Sequence, residues 1–210
     1  MTAFERETLR YLGNATADER LMALIASVEA ELRKDVRPRG VYRRLPIAVS
    51  EGRVEAGGHV FESSALAKNL CGCGEAFFLA ATLGAEADRR LRRFSALDLP
   101  RAAVWQAGCA AYLEEYLDGM EDGLRREAPG LYLRPRFSPG YGDLDISHQR
   151  AMFALLELEK RLGLSLTQTH MMLPEKSVTA IAGLSDVPGS HVGGCAACAK
   201  TDCPNRRMTI

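Results

Sequence analysis

The chain has 210 residues, 47% of them hydrophobic, which suits one domain with a sizeable core and at most a small appendage. Lys plus Arg and Asp plus Glu number 27 each, so no net field draws it to nucleic acid or to an anionic membrane. No apolar run approaches the roughly 20 residues that span a bilayer, and the charged Met1–Arg10 segment lacks the apolar stretch of a signal peptide. A cytoplasmic location is expected on those grounds. There, six cysteines read as thiols or metal ligands before disulfides.

In chain order, Glu19–Lys34 carries Leu21, Leu24, Ile25, Val28 and Leu32 at helical spacing, with Asp18 as its N-cap. Residues 41–49 read as a strand, and Gly52 and Gly57-Gly58 mark a hairpin-like return. Ser63-Ser64 caps a short helix that ends at Cys71-Gly72-Cys73-Gly74. Ala76–Thr82 is a small-apolar run of the kind found in buried strands, closed by Gly84. Ala85–Arg93 shows a basic helical face. Pro100 opens the longest helix, to about Glu127, whose stripe includes Val104, Cys109, Tyr112, Leu113, Tyr116, Met120 and Leu124. Ala128-Pro129-Gly130 ends it. A helix is expected over Ser147–Leu162, stopped by Gly163, and two strands over 167–173 and 178–184 around Pro174-Glu175-Lys176. From Asp186 the composition turns to Gly, Pro, Ser and Cys. The mixture predicts an α+β fold, helices packed around a largely antiparallel twisted sheet, with a Cys-rich C-terminal tail.

The stretch Arg136-Phe137-Ser138-Pro139-Gly140-Tyr141-Gly142-Asp143 carries the strongest functional signal. Pro139 fixes its own φ and disfavours helix at Ser138, while Gly140 and Gly142 permit positive φ and close approach of a ligand. Arg136 adds a planar cation able to hold a carboxylate through two parallel hydrogen bonds. Tyr141 offers a flat apolar face with a polar tip. The set suits a small zwitterion carrying an aromatic ring, and on these residues alone an ordinary Pro/Gly surface loop remains an alternative.

Arg136-x-x-Pro139-Gly140-Tyr141 resembles the S-adenosylmethionine-binding signature of the activation domain of cobalamin-dependent methionine synthase. The similarity runs on through the Leu-rich Ala151–Leu162 to Pro174-x-x-Ser177-Val178, and covers mainly residues 65–185. The chain is especially similar to short, free-standing relatives that carry Gly-Tyr-Gly-Asp and end in a cysteine cluster. The resemblance implies S-adenosylmethionine contacts from Arg136, Ser138, Pro139, Gly140 and Tyr141. A family glutamate that approaches the sulfonium aligns with Ala111, so Glu114 or Glu115 would substitute, with Glu115 taken as the site residue. Asp35, in Asp35-Val36-Arg37-Pro38, corresponds to an aspartate that binds the ligand's amino group. Apart from the resemblance, the acidic band Glu114, Glu115, Asp118, Glu121 and Asp122 reads as a solvated helix face.

The function so implied is reductive reactivation of a corrinoid methyltransferase within methionine biosynthesis. Its cofactors would be S-adenosylmethionine and a cobalamin carried by the partner, and its electron donor a flavodoxin- or ferredoxin-like protein. Residues 1–185 would form the activation-like domain and 186–210 a metal-binding tail. In that tail Cys195, Cys198 and Cys203 have the spacing of soft-metal ligands, for an iron–sulfur cluster or zinc. The fourth position falls to Cys71, Cys73, Cys109, His191 or an exogenous ligand. A corrinoid-protein binding module without methyl transfer, and a metal-based electron-transfer protein, are the alternative readings.

Overall fold

The computed structural model describes residues 1–13 and 17–188, so the Cys-rich segment from 189 onward lies outside the described residues. Its elements are α1 (Ala3–Tyr11), α2 (Glu19–Asp35), β1 (Arg39–Ser50), β2 (Arg53–Ala56), β3 (His59–Glu62), α3 (Ser64–Asn69), β4 (Glu75–Thr82), α4 (Ala85–Leu97) and α5 (Leu99–Glu127). There follow β5 (Tyr132–Leu133), α6 (Gln149–Leu156), α7 (Leu158–Leu162), β6 (Ser165–Leu166), β7 (Met172–Leu173) and β8 (Ser177–Ser185). Six strands form one antiparallel sheet in the order β3-β2-β1-β4-β8-β5, and β6 pairs with β7 separately. The α+β architecture expected from the sequence is the one observed.

Local chemistry explains where the helices begin. Thr2 and Glu5 form a reciprocal capping box on α1, Asp18 accepts from Leu21 N at 2.7 Å on α2, and Asp98 accepts from Arg101 N at 3.0 Å on α5. α1 was not expected from the charged N-terminus, although Thr2-x-x-Glu5 is its sequence signal.

The sheet is the middle of three layers because its central strands are apolar on both faces. Along β4, Phe77, Leu79 and Ala81 join the core formed with α1, α2, α4 and α5. Ala76, Phe78 and Ala80 alternate into a second core with α3, α6 and α7. On β8, Ala180, Ala182 and Leu184 face the first core and Ile181 the second. β1 pairs with β4 through Arg39–Pro46 and with β2 through Ile47–Ser50, so Pro46 falls where the strand changes partner. Trp105, fully buried on α5, donates to Ala87 O at 3.0 Å and so fastens α5 to α4.

Two sequence expectations are corrected. The helix over Ser147–Leu162 is a 3₁₀ turn (Ile146–His148) followed by α6 and α7, separated by Glu157 in the left-handed region at φ 52°. That break lets Leu155 and Leu156 on one side and Leu158 and Leu162 on the other all reach the second core. The expected strand over 167–173 is only Met172–Leu173. Thr167–His170 forms the turn of the β6–β7 hairpin instead, with Thr167 N bonded to Met171 O and His170 at φ 62°.

Gly183 shows how tightly the second core meets the sheet. A Cβ there would stand 2.6 Å from Leu70 Cδ2 and 2.8 Å from Cys73 Sγ. Gly183→Val is therefore expected to lower stability by about 1–3 kcal/mol through overpacking, read as a reduced urea midpoint at unchanged m.

Candidate functional site

The Arg136–Asp143 segment is an extension of the sheet edge that turns into a loop. Arg134 N donates to Gly183 O at 2.8 Å, and Phe137 exchanges both backbone hydrogen bonds with Ile181 at 2.9 and 2.8 Å. Pairing with Ile181 aims Phe137 at the second core, so its neighbour Arg136 points to the opposite layer, toward α5. Beyond it the chain folds back on itself: Tyr141 N donates to Ser138 O, Gly140 N to Leu144 O and Leu144 N to Tyr141 O. Pro139 is buried at the base of the turn and Tyr141 is exposed at its tip. Gly140 has φ 95°, which an L side chain rarely adopts, so glycine is required here by the backbone itself.

Asp143 locks the loop to the rest of the fold. Its carboxylate accepts from the Ser63 hydroxyl, from Ser64 N at 2.8 Å and from Ala65 N at 3.1 Å, at the start of α3. Ser63 in turn caps α3 by accepting from Leu66 N at 2.9 Å. These hydrogen bonds to the charged form, the Ser63 hydroxyl foremost, hold the Asp143 carboxyl below its ordinary value. A depressed folded-state value means that the latch contributes stability above about pH 4 and loses it as the pH falls through that value. Asp143→Asn is accordingly expected to flatten the stability loss of the wild type below about pH 4, measured by urea unfolding across pH. A wild-type-like acid profile in the variant would remove the latch from the account.

Arg136 is the centre of a charge cluster. Its Nη2 donates to Glu114 Oε2 and Asp118 Oδ1, both at 3.0 Å, and its Nε pairs with Glu121 Oε1 at 2.9 Å. Glu114, Asp118 and Glu121 fall on one side of α5 through their i, i+4 and i+7 spacing. Within the acidic band Glu114, Asp118 and Glu121 thus meet an arginine from another element, while Glu115, Asp118 and Asp122 keep the exposure of a solvated face. Three carboxylates thus surround the Arg136 guanidinium, and Arg125 also reaches Glu121 at 2.8 Å. Arg136 Nη1 is buried and has no hydrogen-bond partner among the described residues. Beside this cluster, a cleft of about 250 Å³ opens between α1 and α5, lined in part by Phe4, Glu7, Ala111, Glu114, Glu115 and Asp118.

Of the expected ligand residues, Arg136, Ser138, Pro139, Gly140 and Tyr141 therefore lie on one loop, with Glu114 bonded to it. Glu115 lines the cleft but is held by Arg33 at 2.9 and 3.0 Å, and that guanidinium also lies over Tyr112. Asp35 pairs with Arg90 of α4 at 2.8 Å, whereas Arg136 has its carboxylate partners on α5. The sequence reading places Asp118 and Glu121 in the acidic band and not among the ligand residues. Their i, i+3 spacing on a helix was the available signal, without the arginine that gives it meaning. Cys195, Cys198 and Cys203 lie outside the described residues. Among the described residues no group of three or more His, Cys, Asp or Glu side chains is placed to hold a metal ion, and no helix is long and apolar enough to cross a membrane.

The downstream Pro174–Val178 segment joins the sheet to α4. Glu175 N donates to the buried Asp88 carboxylate at 2.8 Å, and Ser177 Oγ lies 2.8 Å from Thr82 Oγ1 and 2.7 Å from Pro174 O. Lys176 is half-buried there, and desolvation lowers its ammonium below the ordinary lysine value. His148 packs its ring on Phe61.

Residues 124–188 match the family model described as vitamin B12 dependent methionine synthase, activation domain. The Arg136–Tyr141 motif resembles the signature of that same family. The matched span contains both the Arg136–Asp143 loop and the Pro174–Val178 segment. Among solved structures, the chain is similar to the crystal structure of the MetH reactivation domain bound to AdoHcy, with a TM-score of 0.64 and 19% identity over 82% of this chain and 67% of that one. At that identity the likeness speaks for the fold. No curated protein matches the chain in sequence.

Proposed function

We propose that this chain binds S-adenosylmethionine at the Arg136–Tyr141 loop and presents its methyl group to the corrinoid of a separate methyltransferase, restoring that enzyme after its cobalt has been oxidised. The observation that carries the reading is the set of carboxylates, Glu114, Asp118 and Glu121, gathered around Arg136, which itself lies in the span that matches the activation-domain family model. Bound there, S-adenosylmethionine would supply an electrophilic methyl on a sulfonium, and the reduced cobalt of the partner would accept it.

The residues fit such a ligand. The buried, unpartnered Nη1 of Arg136 is a donor in want of an acceptor, which a ligand carboxylate provides. The carboxylates of Glu114 and Asp118, which border the cleft beside Arg136, favour an ammonium or sulfonium close by. Glu114, one turn beyond Ala111 and bordering the cleft, takes the place of the family glutamate better than Glu115, which Arg33 already holds. The loop backbone and the exposed Tyr141 face the adenine end. The protein's share of the chemistry is then position and electrostatics: it fixes the sulfonium carbon where a corrinoid can meet it. The trans arrangement and a flavodoxin- or ferredoxin-like source of the electron belong to the same proposal.

Calorimetry tests the site directly. Arg136→Ala is expected to weaken S-adenosylmethionine binding by about 1–3 kcal/mol, roughly five- to 150-fold, the range of a lost charged hydrogen bond. Tyr141→Ala should weaken it without altering thermal stability, because that side chain is exposed. Gly140 is a poorer probe, since its φ makes any side chain costly to the fold as well as to the ligand. No binding by the wild type, or equal binding by both variants, would overturn the site.

The corrinoid partner is tested separately. The chain is expected to co-elute in gel filtration with a corrinoid methyltransferase held in the cob(II) state, and to do so more weakly with the methylated form. Failure to associate in any cobalt state would leave S-adenosylmethionine binding intact and defeat the reactivation role.

A further inference from the structure

The cleft beside Arg136 has α1 as its second wall, and nothing in the Arg136–Tyr141 motif accounts for that helix. The core fixes the wall in place. Phe4 and Leu9 of α1 are buried in the first core, and a Cβ on Gly108 of α5 would stand 3.2 Å from Phe4 Cζ, so the two helices are tightly packed there. The capping box of Thr2 and Glu5 holds the start of α1. On the facing wall, the nearly buried Ala111 contributes only a methyl group, so no long side chain fills the cleft from that position.

The charges that line the cleft sort by partner. Glu7 is held by Arg10 at 2.7 Å, Glu115 by Arg33 at 2.9 Å, and Glu114 and Asp118 by Arg136, both at 3.0 Å. Arg6 is the one cation among the cleft-lining residues. Its side chain is exposed, and its hydrogen bond is a long one, from Nη1 to Met1 O at 3.4 Å. Among the described residues it has no carboxylate partner. A carboxylate that enters between α1 and α5 therefore meets Arg6 as an uncommitted guanidinium.

We propose that this cleft receives the amino-acid end of S-adenosylmethionine, and that Arg6 donates to its carboxylate alongside Arg136. The inference rests on the ligand reading given above and adds α1 to the site. A carboxylate has about four lone-pair sites on its two oxygens, so it can accept from two guanidiniums at once. The ammonium on the adjacent carbon then stands beside Glu114 and Asp118, which line the same cleft. The cleft volume is about 250 Å³. Pockets that enclose a whole ligand of drug size run to roughly 300–1,000 Å³, so this one suits one end of the molecule and leaves the adenosine to the loop.

The test is calorimetry on the full chain with two probes, S-adenosylmethionine and its decarboxylated form, which keeps the ammonium and the sulfonium. Arg6→Ala is expected to weaken binding of S-adenosylmethionine about five- to 50-fold, the range of a lost charged hydrogen bond at an accessible site. Binding of the decarboxylated probe should stay within about two-fold, because it lacks the group that Arg6 holds. Arg6→Glu should weaken S-adenosylmethionine further by facing the carboxylate with a like charge. Thermal unfolding of Arg6→Ala should match the wild type, since that side chain is exposed. Unchanged S-adenosylmethionine affinity in Arg6→Ala, with Arg136→Ala weakened, overturns the part given to Arg6 and leaves the loop site standing. Equal losses for both probes also overturn it, since a carboxylate partner cannot act on a ligand without one. Failure of the wild type to bind S-adenosylmethionine overturns the ligand reading itself.

Discussion

The pairing of β4 with β8 is the constraint on which both the core and the candidate site rest. Eight register pairs, Glu75 with Leu184 through Thr82 with Ser177, run between two strands buried on both faces. Backbone groups so placed have no water to turn to, and the ladder is their means of satisfaction. With β4 and β8 fixed, the free edge of β8 is left for the chain returning from α5. The bonds of Arg134 and Phe137 to Gly183 and Ile181 use that edge. The alternation of the strand then decides the chemistry: Phe137 enters one core, and Arg136 meets the carboxylates of α5 in the other layer.

Features written within one element were legible in the sequence. The caps at Asp18 and Ser63, the apolar run of β4 and the proline at the start of α5 all appear where local chemistry puts them. The Arg136–Asp143 loop was legible for the same reason, since proline and glycines restrict a backbone without help from the rest of the chain. What escaped depends on partners distant in sequence. Glu157 is not a residue that favours left-handed backbone, and only the need to bury leucines on both sides of it explains the break between α6 and α7. Five acidic residues on a helix look solvated, and only the fold brings an arginine from another element against three of them, Glu114, Asp118 and Glu121. Similarly, Asp143 reads as a loop residue until α3 offers it two backbone N–H groups.

The arginine cluster has two roles that the same physics joins. As a structural contact it ties the loop to α5 through charged hydrogen bonds from a side chain with only 17% of its surface exposed. In the proposed ligand site the same carboxylates line the approach to the cleft, where Glu114 and Asp118 place negative charge. A simple anion binding at Arg136 would meet those carboxylates as like charges. A ligand that brings its own positive charge beside its carboxylate offsets that repulsion, which is the physical basis for proposing a cationic zwitterion.

The ligand loop and the thiol turn are joined through one short helix. Asp143 binds the N-terminal amides of α3, and the chain leaving the other end enters the turn of Cys71 and Cys73. Six residues at about 1.5 Å each separate the two ends by roughly 9 Å. Leu66 and Leu70 are fully buried and anchor this segment in the second core. A substitution within α3 would therefore disturb loop and turn together and could not tell their roles apart. Tyr141 and Cys71 extend outward from the two ends, where a side chain can be removed without opening the core between them. The two ends are separable at those positions, because the shared support is buried and these two side chains are exposed.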